Sequence, residues 1–310
     1  MMDMDMSEQT HLQNLRGVLK YDEPMAKHVS WRAGGVAERA YWPADLDDLV
    51  GFLKQQTGGD IHCVGLGSNL LVRDGGLRGT VLFLHGQLNG IDVETRADGR
   101  VQVFAEAGVA SPKVARFAAR HGMEGAEFLA GVPGAVGGAL AMNAGCYGSE
   151  TWEFVDSVTT IDAQGVLRER TPADYEIGYR HVAPQPARAE EWFVAARFHF
   201  PAGDEERAKA RIKEWLTRRI QTQPLDQPNA GSTFRNPPGD HAARLIESCG
   251  LKGYTIGGAQ VSPKHANFIV NLGGATAKDI EALIGHMRDT VLEQTGVHLQ
   301  QEVRIIGETT

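Results

Sequence analysis

An α+β fold is predicted from three observations. Helical and strand-like hydrophobic periods both occur without any internal repeat, Asp-Gly and Gln-Gly pairs mark hairpins beside helices, and one uncharged segment is dense in glycine. Taken in order, Asp45 opens a helix carrying Leu46, Leu49, Val50 and Leu53, and Ile61 to Val64 forms a short strand running into G-L-G-S-N-L-L, a first α/β unit. From Ile91, Asp98-Gly99 separates two alternating strands, Ser111-Pro112 starts a helix that stops at Gly122, and Gln164-Gly165 sits in a second hairpin. A charged helix from about Asp204 to Ile220 ends before the cluster Pro224, Pro228, Gly231 and reads as a passage into another domain. Beyond it lie a helix at Ala242 to Ser248, a strand at Phe268 to Leu272, and an amphipathic helix from Thr276 with Ile280, Leu283, Ile284, Met287 and Val291 inward. The last strand, Val303 to Ile306, is free by pattern alone to join any of these units.

With 310 residues and 42% hydrophobic content the chain can bury two or three cores. A net charge of −8 argues against a general nucleic-acid binder, which needs a basic surface, but leaves room for small anions held by local cations. The acidic start, Met1 to Glu8, lacks a secretory pattern, and no stretch is apolar enough to span a bilayer, so a cytoplasmic protein is expected. Cys63, Cys146 and Cys249 are widely spaced with no C-x-x-C, which suggests buried free thiols rather than disulfides or a metal site. Without a heptad seam or exposed apolar stripe, a monomer is the default.

Between Gly131 and Gly148 six glycines alternate with small apolar residues. Such density brings backbone close to something flat and polar, since each missing Cβ removes a steric barrier. A flexible linker would be polar, whereas Val132, Pro133, Val136, Leu140, Met142 and Tyr147 anchor this run. Neither this segment nor G-L-G-S-N fits a Walker loop or a Rossmann turn. The latter, following a strand, suits a phosphate-binding nest from Gly65 and Gly67 with Ser68 and Asn69 adding side-chain bonds, or equally a simple turn. Two such segments in an acidic chain favour one shared dinucleotide cofactor. The candidate contacts are Gly65, Gly67, Ser68, Asn69 and Leu70 with Gly131, Pro133, Gly134, Gly137, Gly138, Asn143 and Gly145, where Asn143 is read as turning the backbone.

In order, the chain shows S-W-R-A-G-G from Ser30, G-L-G-S-N-L-L from Gly65, the glycine run, and G-Y-R from Gly178. These are followed by G-S-T-F-R-N-P from Gly231, L-I-E-S-C-G-L-K-G from Leu245, G-A-Q-V-S-P-K-H-A-N-F-I-V-N from Gly258 and Q-E-V-R-I-I-G from Gln301. From about residue 20 onward this set resembles the UDP-N-acetylenolpyruvoylglucosamine reductase (UDP-N-acetylmuramate dehydrogenase) family. The resemblance implies non-covalent FAD in a two-part module of the vanillyl-alcohol-oxidase type, at 20–88 (with 300–310 returning to it) and 89–203, and a C-terminal α/β substrate domain at 204–299. It implies NADPH as hydride donor and UDP-N-acetylglucosamine enolpyruvate as substrate, in peptidoglycan precursor synthesis and hence a bacterial cytoplasm.

The resemblance assigns Arg180 as the catalytic arginine, Ser232 as the proton donor and Glu302 as a third catalytic group. The chemistry suits them. An arginine holds a carboxylate with a charge that cannot be titrated away, a hydroxyl can protonate a strongly basic carbon, and a carboxyl facing a substrate carboxylate is driven toward its protonated form. By the same resemblance Asn236 and His265 fall at positions near substrate, with Lys264, Lys252 and Arg235 as nearby cations, of which Lys264 is taken as a further substrate contact. Val182 stands where the family commonly has Ser, and Cys146 where it has Ala or Ser. The short span from Arg180 to Trp192 implies the shorter subtype, without the tyrosine-bearing loop of some members. The rival readings are an oxidase sharing the cofactor fold, which needs none of the later motifs, and a non-catalytic nucleotide-sugar binder, for which Arg180, Ser232 and Glu302 would be dispensable.

Overall fold

The computed structural model describes residues 14–56 and 58–310. The first unit comprises β1 (Val18–Pro24), β2 (Val36–Trp42), α1 (Leu46–Gln55), β3 (Ile61–Val64), β4 (Leu70–Val72) and β5 (Leu77–Phe83). Its sheet runs β1-β2-β5-β3, with β1 antiparallel to β2 and β5 parallel to both β2 and β3. The Asp45 carboxylate accepts the Asp48 N–H at 2.9 Å, which satisfies one of the orphan donors of α1. Leu49, Phe52 and Leu53 then bury against Tyr41 and Leu82.

The second unit contains β6 (Ile91–Thr95), β7 (Val101–Glu106), α2 (Ser111–Arg120), α3 (Val136–Ala141), the small hairpin β8 (Gly145–Cys146) and β9 (Ser149–Glu150), and β10 (Val155–Asp162). It continues through β11 (Leu167–Arg170), the hairpin of β12 (Tyr175–Gly178) and β13 (His181–Pro184), and β14 (Glu191–Phe198). An antiparallel sheet of order β11-β10-β14-β7-β6 packs on α2 and α3 through Val103, Ala105, Val114, Ala118, Leu140 and Phe198. The charged helix α4 (Glu205–Thr222) shares that core, since Ala208 and Ile212 are buried in it. Arg207 and Arg211 also pair with Glu124 and Glu127 of the second unit. Although the pattern marks α4 as the entry to the last domain, its apolar face belongs to the middle one.

The third unit has α5 (Ala242–Ser248), β15 (Thr255–Ile256), β16 (Ala259–Val261), β17 (Ile269–Asn271) and α6 (Ala277–Thr295), with a three-stranded antiparallel sheet of order β15-β16-β17. Thr276 and Asp279 form a reciprocal capping box at the start of α6, and Gly296 ends it at φ 72°. Ile280, Leu283, Ile284, Met287 and Val291 face the core. The last strand, β18 (Arg304–Ile306), returns to the first unit and pairs in parallel with β4. Among the described residues no helix is long and apolar enough to cross a membrane.

Candidate active site

A cavity of about 890 Å³ lies where the three units meet. Its walls are residues 63–70 at the end of β3 and beyond, most of the segment 131–147 around α3 and β8 but neither Gly137 nor Asn143, Arg180, Arg218, Arg219, Thr222 and Gln223 at the end of α4, and residues 230–232, His265, Phe268, Glu302 and Arg304. The two glycine segments are joined directly, because the Ser68 hydroxyl donates to Pro133 O at 2.8 Å. Asn69 ties the same loop to the C-terminal strand: its Nδ2 donates to Glu302 O at 3.2 Å, and its own carbonyl accepts the Arg304 N–H at 3.0 Å.

The glycines divide by what lies beside them. At Gly67, with φ 60°, a Cβ would stand 2.2 Å from His28 O, so the loop must be bare to pack on the S-W-R-A-G-G segment. At Gly131 a Cβ would come within 2.7 Å of Cys146 Sγ. By contrast, Gly138 is exposed on the cavity wall, and a Cβ there meets no protein atom within 4 Å. At Gly65 the nearest atom is Ala135 Cβ at 3.7 Å. Space is thus kept open over α3 and the end of β3 for a flat group.

Arg180, Ser232 and Glu302, far apart in sequence, line one cavity. Arg180 occupies the two-residue turn between β12 and β13 at φ 53°, a left-handed conformation unfavourable for a residue with a Cβ. Its Nε donates to Glu302 Oε1 at 3.0 Å, Nη1 to Asn143 O at 3.2 Å and Nη2 to Gly145 O at 2.7 Å. Burial pushes the Glu302 carboxyl above its ordinary value, and the Arg180 cation only partly opposes that. Ser232 and Glu302 sit on neighbouring segments: the Glu302 N–H donates to Thr233 O at 2.9 Å, beside an antiparallel bridge between Phe234 and Gln301. The Ser232 hydroxyl has no hydrogen-bond partner among the described residues.

Most of the sequence-derived candidates reach the cavity wall: Gly65, Gly67, Ser68, Asn69, Leu70, Gly131, Pro133, Gly134, Gly138 and Gly145, with His265. His265 accepts the Asn267 N–H on Nδ1 at 3.3 Å; burial and then the Lys252 cation lower its pKa, so the neutral ring is favoured. Four candidates stand elsewhere. Gly137 faces Ala107, to whose carbonyl it donates at 3.0 Å. Asn143 is buried behind the wall, the Asn236 Oδ1 accepts the first N–H of α5 from Ala242, and Lys264 Nζ donates to Ile220 O at 2.6 Å.

The structure adds Arg218, Arg219, Thr222 and Gln223 to the wall, together with Tyr147 and Arg304. Arg219 donates from Nε to Gln223 Oε1 at 3.0 Å, and burial lowers its pKa. The one sequence signal was the Arg-Arg pair ahead of Gln223-Pro224. Cys146 donates to Phe128 O at 3.1 Å, and burial pushes its thiol up to about 11, while the Cys63 thiol is pushed up to about 12.

Comparison with known proteins matches both halves of this arrangement. Residues 37–170 fit the model of an FAD binding domain, and residues 223–306 that of the UDP-N-acetylenolpyruvoylglucosamine reductase C-terminal domain. UDP-N-acetylenolpyruvoylglucosamine reductase of Nitrosospira multiformis is 57% identical over 98% of this chain and 94% of its own length. The chain belongs to the UDP-N-acetylenolpyruvoylglucosamine reductase family. The enzyme of that name from Thiobacillus denitrificans is 58% identical over 95% of this chain and 94% of its own. The crystal structure of the Thermus caldophilus reductase superposes with a TM-score of 0.76 at 30% identity, covering 94% of this chain and 99% of that one. This family member is therefore an α+β flavin-dependent oxidoreductase, with an FAD-binding domain followed by the C-terminal domain of the family. FAD fits the cavity on chemical grounds: the Gly65–Asn69 loop follows a strand and offers backbone N–H groups, and open space over Gly138 admits a flat ring.

Proposed function

We propose that the chain reduces UDP-N-acetylglucosamine enolpyruvate to UDP-N-acetylmuramate with NADPH as hydride-donating co-substrate, acting as a monomer in the bacterial cytoplasm. The observation that carries this reading is the meeting of Arg180, Ser232 and Glu302 in a cavity whose other wall is two glycine segments. FAD held between the Gly65–Leu70 loop and the Gly131–Gly145 segment would supply the redox chemistry, namely hydride transfer from NADPH by way of flavin N5 to the enolpyruvyl methylene. Charge then develops at C2 of the substrate and spreads into its carboxylate. The Arg180 guanidinium, permanently charged and planar, holds that carboxylate as the charge grows. The Ser232 hydroxyl, free of other partners, delivers the proton to C2. Glu302, biased by burial toward its neutral form, donates a hydrogen bond to the same carboxylate.

In this reading Gly65, Gly67, Ser68, Asn69, Leu70, Gly131, Pro133, Gly134, Gly138 and Gly145 line the FAD site, while His265 serves the uridine diphosphate end and Asn236 and Lys264 act from just outside. The chain divides at 20–88 with 300–310, 89–203 and 204–299, with α4 at the head of the last span packing its apolar face on the core of the middle one; the parallel pairing of β18 with β4 supports the return of the C-terminus. Only residues 185–190 separate β13 from β14, which supports the shorter subtype. An oxidase of the same cofactor fold has no use for a proton donor beside a carboxylate-holding cation, and a passive binder has none for a buried acid.

Anaerobic half-reactions test the assignment. NADPH should bleach the flavin absorbance of the purified holoenzyme, and the enolpyruvyl substrate should restore it. Ser232→Ala should keep the first step and lose the second. A flavin that bleaches but is not restored by this substrate would remove the assignment in favour of another acceptor.

A further inference from the structure

On the β8–β9 hairpin, behind Arg180, lies a carboxylate that the reaction scheme leaves unused. Glu150 Oε2 accepts from Asn143 Nδ2 at 2.7 Å, and Oε1 stands 3.6 Å from Arg180 Nη1. Asn143 in turn commits every polar group it has. Its Nδ2 also donates to Gly178 O at 3.0 Å, its Oδ1 accepts the Trp152 N–H at 3.1 Å, and its carbonyl accepts Arg180 Nη1. We propose that Glu150 and Asn143 are positioning residues for Arg180, fixing the guanidinium against the cavity and setting the charge it presents to the substrate carboxylate.

The geometry carries this in three ways. First, the guanidinium has five N–H donors. Three are bound to Glu302, Asn143 and Gly145, and a fourth faces Glu150. Its plane is thereby set from behind, with one Nη2 donor left for a ligand. Second, six non-glycine residues among those described have positive φ, and Asn143, Tyr147 and Arg180 are three of them. Such strain persists only where the surroundings over-determine it, and here Asn143 bonds both the strand leading to Arg180 and the Arg180 side chain. Third, Arg180 faces two carboxylates. One is Glu302, which burial biases toward its neutral form; the other is Glu150, whose side chain is 29% exposed and is held by Asn143, itself bonded to the guanidinium.

This inference rests on the reading of Arg180 as the carboxylate-holding cation, and the test separates the two. FAD-loaded wild type, Glu150→Gln, Arg180→Lys and the double variant are compared in each half-reaction by stopped-flow absorbance. Glu150→Gln keeps an acceptor for Asn143 but removes the charge. It should leave thermal stability and flavin reduction by NADPH within about twofold, slow reoxidation by the enolpyruvyl substrate about tenfold or more, and add nothing in the Arg180→Lys background. An unchanged reoxidation rate in Glu150→Gln beside a slow Arg180→Lys would overturn the positioning role alone, as would equal losses in both half-reactions or the same loss in the double variant. Wild-type reoxidation by Arg180→Lys would remove the reading of Arg180 and this proposal with it. If Glu150→Gln fails to fold or load FAD, Glu150→Asp keeps the charge on a shorter arm, and its loss should be smaller and confined to reoxidation. Equal loss in both steps would again overturn the role.

Discussion

The burial of Glu302 bears directly on its chemistry. Burial raises its carboxyl pKa in the folded state, so between the unfolded and folded values the native protein binds the extra proton. Stability from this group is therefore full below the unfolded value and is lost as pH rises through the folded one. Relative to Glu302→Gln, the wild type should lose melting temperature as pH rises above the ordinary carboxylate range; a difference independent of pH would show that the carboxyl is not displaced. The thiols give a second prediction at this scale. With the Cys146 thiol pushed up to about 11 and Cys63 up to about 12, both should alkylate at pH 8 orders of magnitude more slowly than a free thiol, as mass spectrometry of the iodoacetamide-treated native protein would show. That Arg180, Ser232 and Glu302 belong to one cavity was legible because each lies inside a distinctive motif. Asn143 was legible as a backbone turner but not as the hub between Glu150 and Arg180, because those partners come from separate hairpins. Arg219 was missed since an arginine near a helix end reads as solvated, and only the packing of α4 on the second core carries it to the cavity.

At the scale of elements, the two glycine segments look alike in sequence and differ in what their missing side chains do. Gly138 lies within α3, where Ala is intrinsically the better helix former by about 0.8–1 kcal/mol, and a methyl there meets no protein atom. Gly138→Ala should hold or raise the stability of the FAD-free protein while weakening FAD binding, measured by flavin fluorescence on titration. Gly67→Ala should do the reverse in kind: at φ 60° and 2.2 Å from His28 O, it should destabilise the protein even without FAD. If both variants lost stability equally, the division into cofactor-facing and packing glycines would be wrong. Sequence could announce that glycine was required in these segments, yet not which atom required it. Helices fared better, because caps and periodicity are local: Asp45 and Thr276 cap α1 and α6 where the pattern put their starts. The short strands β15 and β16 left no such trace, being pinned by pairing with each other and with β17 rather than by any alternation of their own.

At the scale of the whole molecule, the cavity exists only while the third unit stays docked on the first, and a few bonds hold that junction. Trp31 is fully buried in the core of the third unit and its Nε1 donates to Ile269 O at 2.8 Å, while Asn271 Nδ2 donates back to Trp31 O at 2.8 Å. Asn271 Oδ1 also accepts the Gly273 and Ala275 N–H groups, at 2.8 and 3.2 Å. At the rim, Arg73 grips Glu281 through two nitrogens, and Asp74 accepts the first N–H groups of α6 from Ala277 and Lys278. These contacts differ in kind. Glu281 is held below its ordinary pKa by Arg73, but both side chains are a third exposed, and solvent screening limits such a pair to about 1 kcal/mol or less. Asn271 is buried, and Asn271→Ala strands two buried backbone groups at the junction, Trp31 O and the Ala275 N–H, each costing about 1–3 kcal/mol when left without a partner. Chemical denaturation should therefore rank Asn271→Ala well above Glu281→Gln in lost stability. Because Ser232 and Phe268 of the third unit share the cavity with the glycine loops, Asn271→Ala should also loosen FAD. If Glu281→Gln were the more damaging of the two, the docking would be electrostatic at its rim, and the S-W-R-A-G-G segment would be a linker rather than the bolt that holds Ser232 against the glycine loops.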